Sequence, residues 1–343
     1  MGVSHNKALS NFDVAVKRLY ASDARVHAVG ITRHGRGYGY RVVRNARKIV
    51  ASAAALIQPD DVNNIPVVYA DAPNDARSLI RRIVHSGPAS ALDLALIPEQ
   101  QFARPLVCGL QIQNFDDDVR QGAPQQGFIV IGSLGCLVRL DGDSTHSYIL
   151  SNNHVVAGEN RGLKGQDHIF QQGSSVFDTS QFTATLRDFV QLQFSTFGAT
   201  FEDGTAILND VDAGIARVEP GIANSNGFLS VRTGLLPPAG TAEPKSQDRV
   251  FKVGRTTGLT RGRITSFPAV VGPVDYDGKP VWFRNSLEIE GDDGASFSDR
   301  GDSGSIIIKE ATGEVVGLLY AGNGQQTYAC PINLVLSSLN CSI

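Results

Sequence analysis

Three side chains of this 343-residue sequence have the types and the order needed for nucleophilic catalysis. His154 lies in Ser151-Asn152-Asn153-His154, Asp212 in Asp210-Val211-Asp212-Ala213, and Ser303 in Gly301-Asp302-Ser303-Gly304-Ser305. A neutral serine hydroxyl is a poor nucleophile, so a base must take its proton during attack. Imidazole titrates near neutrality and suits that task. A carboxylate behind the imidazole holds the right tautomer and stabilises the imidazolium that forms. The tetrahedral oxyanion needs donors already in place. The backbone N–H groups of Gly301 and Ser303 are the natural pair, because glycine lets the chain turn until both amides face one point. A GDSG alone is usually a turn. Here each member of the constellation adjoins an apolar run: Val155-Val156, Ala213-Gly214-Ile215-Ala216 and Ile306-Ile307-Ile308. The other histidines (His5, His27, His34, His85, His146 and His168) have no such surroundings and read as surface or packing residues, with His168 the spare candidate.

Elements that can hold these residues are legible around them. Phe128–Leu140 and Ser147–Leu150 are strand-like and place His154 just after a core strand. Phe182–Leu192 and Ala206–Val218 continue the pattern. Residues 220–244, rich in Gly, Asn and Pro, read as a connection. Apolar strands resume at Val250 and run to about Ala329, and Pro331 opens a short helix, Ile332–Leu339. Upstream, apolar residues at helical spacing predict a helix over 6–22. Val26–Thr32 and Tyr38–Val43 read as strands joined around Gly35-Arg36-Gly37, and Ile65–Ala70 as another. Asn74–His85 and Ala89–Ile97 are expected to be helices. The expected organisation is a small α+β unit over residues 1–103 ahead of a β-rich region over 104–343. Phe115-Asp116-Asp117-Asp118 reads as a solvated acidic loop, incomplete as a calcium site.

Composition excludes several classes. The chain is 42% hydrophobic and 19% charged, with a formal net charge of −3. That is ordinary for a globular protein and offers no basic nucleic-acid surface. There is no run of 18 apolar residues to cross a membrane, and the first residues lack the apolar core of a signal peptide. The four cysteines, Cys108, Cys136, Cys330 and Cys341, include two inside apolar strand-like runs, which favours reduced core thiols and a cytoplasmic location. Cys and His are scattered without zinc spacing, and Gly254-Arg255-Thr256-Thr257-Gly258 lacks the lysine and spacing of a phosphate loop. No metal or cofactor is indicated. The expected partner is a protein or peptide substrate, with no nucleic acid and no membrane.

Three stretches carry a family resemblance: Tyr148 to Ala157 with Glu159-Asn160-Arg161 after it, Val253 to Gly262, and the GDSGS segment with Gly313 to Gly322. Together they resemble the trypsin/chymotrypsin-like serine peptidases, in the bacterial and plant branch that includes the narrow-leaf protein of rice. The resemblance covers roughly residues 104–340. It implies a mainly β protein, a chymotrypsin-like double β-barrel with a small N-terminal α+β domain, the first barrel at about 104–220 and the second at about 245–343. It implies peptide-bond hydrolysis through an acyl-enzyme, with His154 as base, Asp212 as orienter and Ser303 as nucleophile. The main chain at Tyr320, Ala321 and Gly322 would pair with substrate, and Phe297 would sit at the pocket for the side chain before the scissile bond. It also allows homo-oligomers.

Departures from the family pattern carry information too. Val155 follows the catalytic histidine where animal members have cysteine, and Asp299-Arg300 stands where they have another. No zymogen cleavage motif is present, so Asp302 needs a cation other than a freed N-terminus, and Lys252 or Arg255 is expected to supply it. Phe297 argues against a simple acidic pocket. Small or medium apolar residues are therefore the expected preference, with Asp292, Asp293 or Asp299 the alternative source of charge for a basic one. The leading function is a serine endopeptidase acting by limited cleavage of a specific protein partner. The alternatives are a silent or gated peptidase-fold scaffold, and an esterase using the same acyl chemistry.

Overall fold

The computed structural model describes residues 2–48, 58–79, 81–84, 97–122, 128–173 and 177–343, with only the backbone described at 81–84 and 128. The protein is mainly β and has the chymotrypsin-like double-barrel architecture. In the second barrel, Arg249–Gly254 pairs with Gly258–Tyr276, which pairs with Lys279–Gly291. Lys279–Gly291 pairs with Gln326–Pro331, which pairs with Val315–Gly322. Val315–Gly322 pairs with Ile306–Lys309, and this strand returns to Arg249–Gly254, closing the ring. Closure removes free strand edges and leaves the apolar faces inside. The apolar sequence of Val315–Gly322 is accordingly buried at every position.

The first barrel is built from Gln111–Asn114, Phe128–Ser133, Cys136–Leu140, Tyr148–Ser151, His168–Phe170, Phe182–Phe189 and Gly214–Val218. Its interior holds Leu110, Ile112, Leu134, Ile149, Val156, Ile169, Leu186 and Ala216. The expected run Phe128–Leu140 is broken at Leu134-Gly135, where the Leu134 and Gly135 amides bond Leu110 and Leu150 carbonyls. Cys108, Cys136, Cys330 and Cys341 are buried and unbridged.

The N-terminal elements are built onto the second barrel. Val26–His34 and Gly37–Asn45 form the expected hairpin, and Ile65–Ala72 lies parallel to its second strand. The long strand Gly258–Tyr276 extends beyond the barrel to receive this layer, pairing Gly30 with Ala269 and Ala28 with Val271. Phe12, Val16, Leu19, Ile31 and Tyr40 pack with Val270 and Trp282 of the barrel in one buried cluster. The helix expected over 6–22 is two helices, His5–Ser10 and Phe12–Ser22, which meet at Asn11. Asn11 Nδ2 bonds the Lys7 carbonyl at 2.9 Å and so closes the first helix.

Two expectations are corrected. The stretch Asn74–His85 is not helical where it is described: Arg77–Ser78 and Arg81–Val84 are strands. Their partners lie far off in sequence, on Val315–Gly322 and Phe128–Ser133, and tertiary pairing overrides local propensity. Residues 89–96 of the other expected helix lie outside the described residues. The acidic run is not a solvated loop but a helix, Phe115–Arg120, capped by Asn114 Oδ1 accepting the Asp117 amide at 2.9 Å. Acidic residues in a first turn suit the helix dipole. Asp117 faces Arg161 at 2.9 Å, and Asp118 Oδ2 accepts from Gln113 Nε2 at 2.6 Å and the Val130 amide at 3.0 Å.

Burial pushes the Asp118 carboxyl up to about 7 against the pull of those two donors. In the unfolded chain it titrates near ~3.9. A raised folded-state value favours folding below about pH 4, and that contribution is lost as pH rises through about 7. Asp118→Asn keeps an oxygen for both donors and cannot titrate. Thermal melts at about pH 5 and pH 8 should therefore show a smaller alkaline loss of Tm in Asp118→Asn than in the parent chain. Equal losses in both would rule the group out as the source.

Candidate active site

The structure brings His154 and Asp212 into contact and sets Ser303 across Gly132 from Val155, the residue after His154. His154 stands on a short helix, Asn153–Val156, directly after the barrel strand Tyr148–Ser151. Asn152 and Asn153 lock this corner: Asn152 Nδ2 bonds the Asp212 carbonyl and Asn153 Nδ2 the Val190 carbonyl, each at 2.7 Å. Asp212 sits just ahead of Gly214–Val218, which pairs with the strand leading to His154. His154 Nδ1 and Asp212 Oδ2 share a short hydrogen bond, and both side chains are fully buried. The bond fixes the ring so that Nε2 faces away from the carboxylate, and among the described residues Nε2 has no hydrogen-bond partner. Ser303 is buried, and its Oγ donates to the Tyr320 carbonyl at 3.3 Å.

Tyr276 joins this pair. Tyr276 Oη donates to Asp212 Oδ2 at 2.8 Å, and its ring meets His154 edge-on at 5.2 Å. Burial, and then the neighbouring Asp212 charge, raise the phenol well above its ordinary value, so it remains a donor. Asp212 thus has the imidazole and the phenol on one oxygen, and the His154 amide at 3.3 Å on the other. Nothing in the sequence marks Tyr276. It precedes Asp277-Gly278 and reads as the edge of a turn.

The nucleophile loop is held by a buried ion pair. Lys252 Nζ lies 3.2 Å from Asp302 Oδ2, with neither side chain exposed. Asp302 also accepts the Thr256 amide at 2.8 Å, Thr257 Oγ1 at 2.7 Å and the Asp299 amide at 3.0 Å. Burial opposes its ionisation, but the Lys252 charge and these donors outweigh it and hold the carboxyl below the ordinary range. Of the two cations expected to serve Asp302, Lys252 takes the place. Arg255 directs its guanidinium to Gln111 Oε1 at 2.8 Å and Thr256 Oγ1 at 3.1 Å. Gly301 has φ +103 and Gly304 φ +92, conformations that other residues rarely adopt, so the loop turns sharply on either side of Ser303.

The expected oxyanion donor Gly301 N–H has an acceptor already: it bonds the Leu79 carbonyl. The Leu79 amide donates to the Tyr320 carbonyl at 3.2 Å. Ser78 pairs with Ala321 and Arg77 with Gly322, antiparallel. Phe297 is fully buried and shares its apolar cluster with Leu79. All four residues expected to meet substrate (Phe297, Tyr320, Ala321 and Gly322) therefore lie along residues 77–79. His168, the spare candidate, pairs instead with Asp116 at 2.6 Å on the first barrel. A cavity of about 720 Å³ is lined by residues that include Tyr20, Phe197, Trp282 and Lys279 and none of His154, Asp212 and Ser303. Among the described residues, no group of three or more His, Cys, Asp or Glu is placed to hold a metal ion. Nor is any helix long and apolar enough to cross a membrane.

Fold and site together define a protein of the chymotrypsin-like double-barrel class. Residues 245–330, most of the second barrel, match the family described as Nal1 C-terminal domain. Among solved structures, Thermobifida fusca protease A is 17% identical, with 62% of this chain and 90% of that chain covered at a TM-score of 0.41. Nocardiopsis protease is 15% identical, with 69% and 97% covered at 0.44. A glutamic acid-specific serine protease is 18% identical, with 69% and 100% covered at 0.43. No curated protein matches the chain.

Removing one partner of a buried ion pair leaves an uncompensated charge and costs about 3–5 kcal/mol. Lys252→Met should lower the urea-unfolding free energy by roughly that amount, and adding Asp302→Asn should restore part of it. The depressed Asp302 value adds a sign: its contribution is present above the ordinary carboxylate range and is lost as pH falls through the folded value. A Lys252→Met chain as stable as its parent would exclude the pair as the clamp.

Proposed function

We propose that the protein is a serine endopeptidase that cleaves peptide bonds through an acyl-enzyme formed on Ser303. The observation that carries this reading is the fully buried His154–Asp212 hydrogen bond beside a sharply turned GDSGS loop. In this reading His154 Nε2 takes the Ser303 proton as Oγ attacks the substrate carbonyl, and then gives it to the leaving amine. Asp212 stabilises the imidazolium in between, with Tyr276 holding the carboxylate in place. The Gly301 and Ser303 amides receive the oxyanion, each such donor being worth about 2.7–4 kcal/mol to the transition state. Limited cleavage of a protein partner is the proposed physiological act, since the substrate strand would have to reach a narrow seam between the barrels. A scaffold has no use for a tautomer-fixed histidine with a bare Nε2 beside a serine.

A fluorophosphonate probe tests this directly. Labelling should occur on the full chain and vanish in Ser303→Ala and His154→Ala. Asp212→Asn should cut kcat on a peptide substrate by about 10⁴, because the amide holds the wrong tautomer. Tyr276→Phe removes one hydrogen bond to a charged group, worth roughly 1.5–3 kcal/mol. It should lower kcat by about 10- to 100-fold and shift the acidic limb of the pH–rate profile, where the base must be unprotonated, while KM holds. Activity in Ser303→Ala would sink the reading outright.

A further inference from the structure

The strand Arg77–Leu79 occupies the place and direction of a substrate. It pairs antiparallel with the Tyr320–Gly322 end of the strand that leads away from the nucleophile, Ser78 opposite Ala321 and Arg77 opposite Gly322. Leu79 then closes both bonds expected of the residue before a scissile bond: its amide donates to the Tyr320 carbonyl, and its carbonyl accepts the Gly301 amide. The Leu79 side chain is 5% exposed and clusters with Phe297, Leu319 and Ala329. Gly322 forms its near wall, where even a methyl group would stand 3.2 Å from Leu79 Cδ1. Further along the sequence, Arg81–Val84 pairs with Phe128–Ser133 of the first barrel, Arg81 opposite Ile131. The Ser133 amide in turn bonds the Ser303 carbonyl at 2.7 Å.

We propose that residues 77–79 are an internal substrate mimic that holds the cleft shut, and that Leu79 marks the class of side chain the pocket accepts, a branched aliphatic one. This rests on the peptidase reading above and adds its regulation and its specificity. Main-chain pairing of this kind supplies affinity, and the side-chain pocket supplies selection. A tethered strand acts at an effective concentration in the millimolar range, so it outcompetes dilute substrates without new contacts. With the strand in place Ser303 Oγ turns to the Tyr320 carbonyl rather than to His154, whose Nε2 has no partner. The nucleophile is therefore not engaged with its base while the mimic sits in the cleft. Phe297 is fully buried beside Leu79, and two nearby carboxylates are already paired, Asp302 with Lys252 and Asp292 with Arg249 at 2.6 Å.

The test compares fluorophosphonate labelling rates of the full chain, Leu79→Asp, Leu79→Gly, and Leu79→Asp with Ser303→Ala. A carboxylate against Phe297 is costly to bury, so Leu79→Asp should expel the strand. Leu79→Gly loosens it without adding charge, and covers the case in which the first variant fails to fold. Either should label at least about 10-fold faster than the parent chain, and the double variant not at all. An acetylated Arg-Ser-Leu aldehyde should then protect the opened variant far better than the same peptide ending in arginine or glutamate. Equal labelling of the parent and a folded Leu79 variant overturns the mimic and leaves the peptidase reading standing. Better protection by the arginine or glutamate aldehyde overturns the aliphatic pocket. A folded, opened variant that does not label at all defeats the peptidase reading itself.

Discussion

The catalytic seam depends on one buried charge pair. Asp302 has no exposed surface and Lys252 has none either. Their attraction alone rarely repays the loss of hydration. What makes the pair worth keeping is the geometry it enforces. Asp302 draws in the Thr256 and Asp299 amides and the Thr257 hydroxyl, and so ties the turn after Arg249–Gly254 to the nucleophile loop. With Asp302 pinned, the two glycines around it can hold their left-handed conformations, and the Gly301 N–H points into the cleft. The loop carrying Ser303 then packs on the first barrel: Gly132 lies against Val155 on one side, and the Ser303 carbonyl on the other.

A cation from the hairpin at Arg249–Gly254 has a further consequence. It is present in the chain from synthesis onward, so the loop needs no proteolytic event to assemble. Control of such a site must come from something other than building it, and covering it is the simplest physical means. On the proposal above, residues 77–79 cover it with the bonds a substrate would make. The N-terminal layer is in position to do this because Gly258–Tyr276 runs on past the barrel to pair with Val26–His34, while Asp275 near its far end pairs with Arg77. One long strand thereby connects the N-terminal sheet, the second barrel and the covering segment.

Much of the site was legible because its chemistry is local. His154, Asp212 and Ser303 each sit in a short motif next to an apolar strand, and such motifs survive reading one residue at a time. The closing helix Ile332–Leu339 and the hairpin around Gly35 were equally plain, since capping and turn residues bracket them. Tyr276 was not legible. Its role depends on a hydrogen bond to a residue 64 positions away, and its neighbours spell only a turn. The acidic stretch misled for the opposite reason: Asp116-Asp117-Asp118 looks solvated until Arg161, Gln113 and the Val130 amide arrive to satisfy it. Asn114 three residues ahead of Asp117 was the cap signal that was available.

Residues 74–85 show the limit most clearly. Their composition is compatible with a helix, and nothing nearby forbids one. Where described, Arg77–Ser78 and Arg81–Val84 are extended because they pair with Ala321–Gly322, at the end of a barrel strand, and with Phe128–Ile131. Tertiary pairing of this kind is invisible to local composition, because both partners lie far off in sequence. On the proposal above, the buried Leu79 side chain is the part of this segment that reports on the specificity of the pocket.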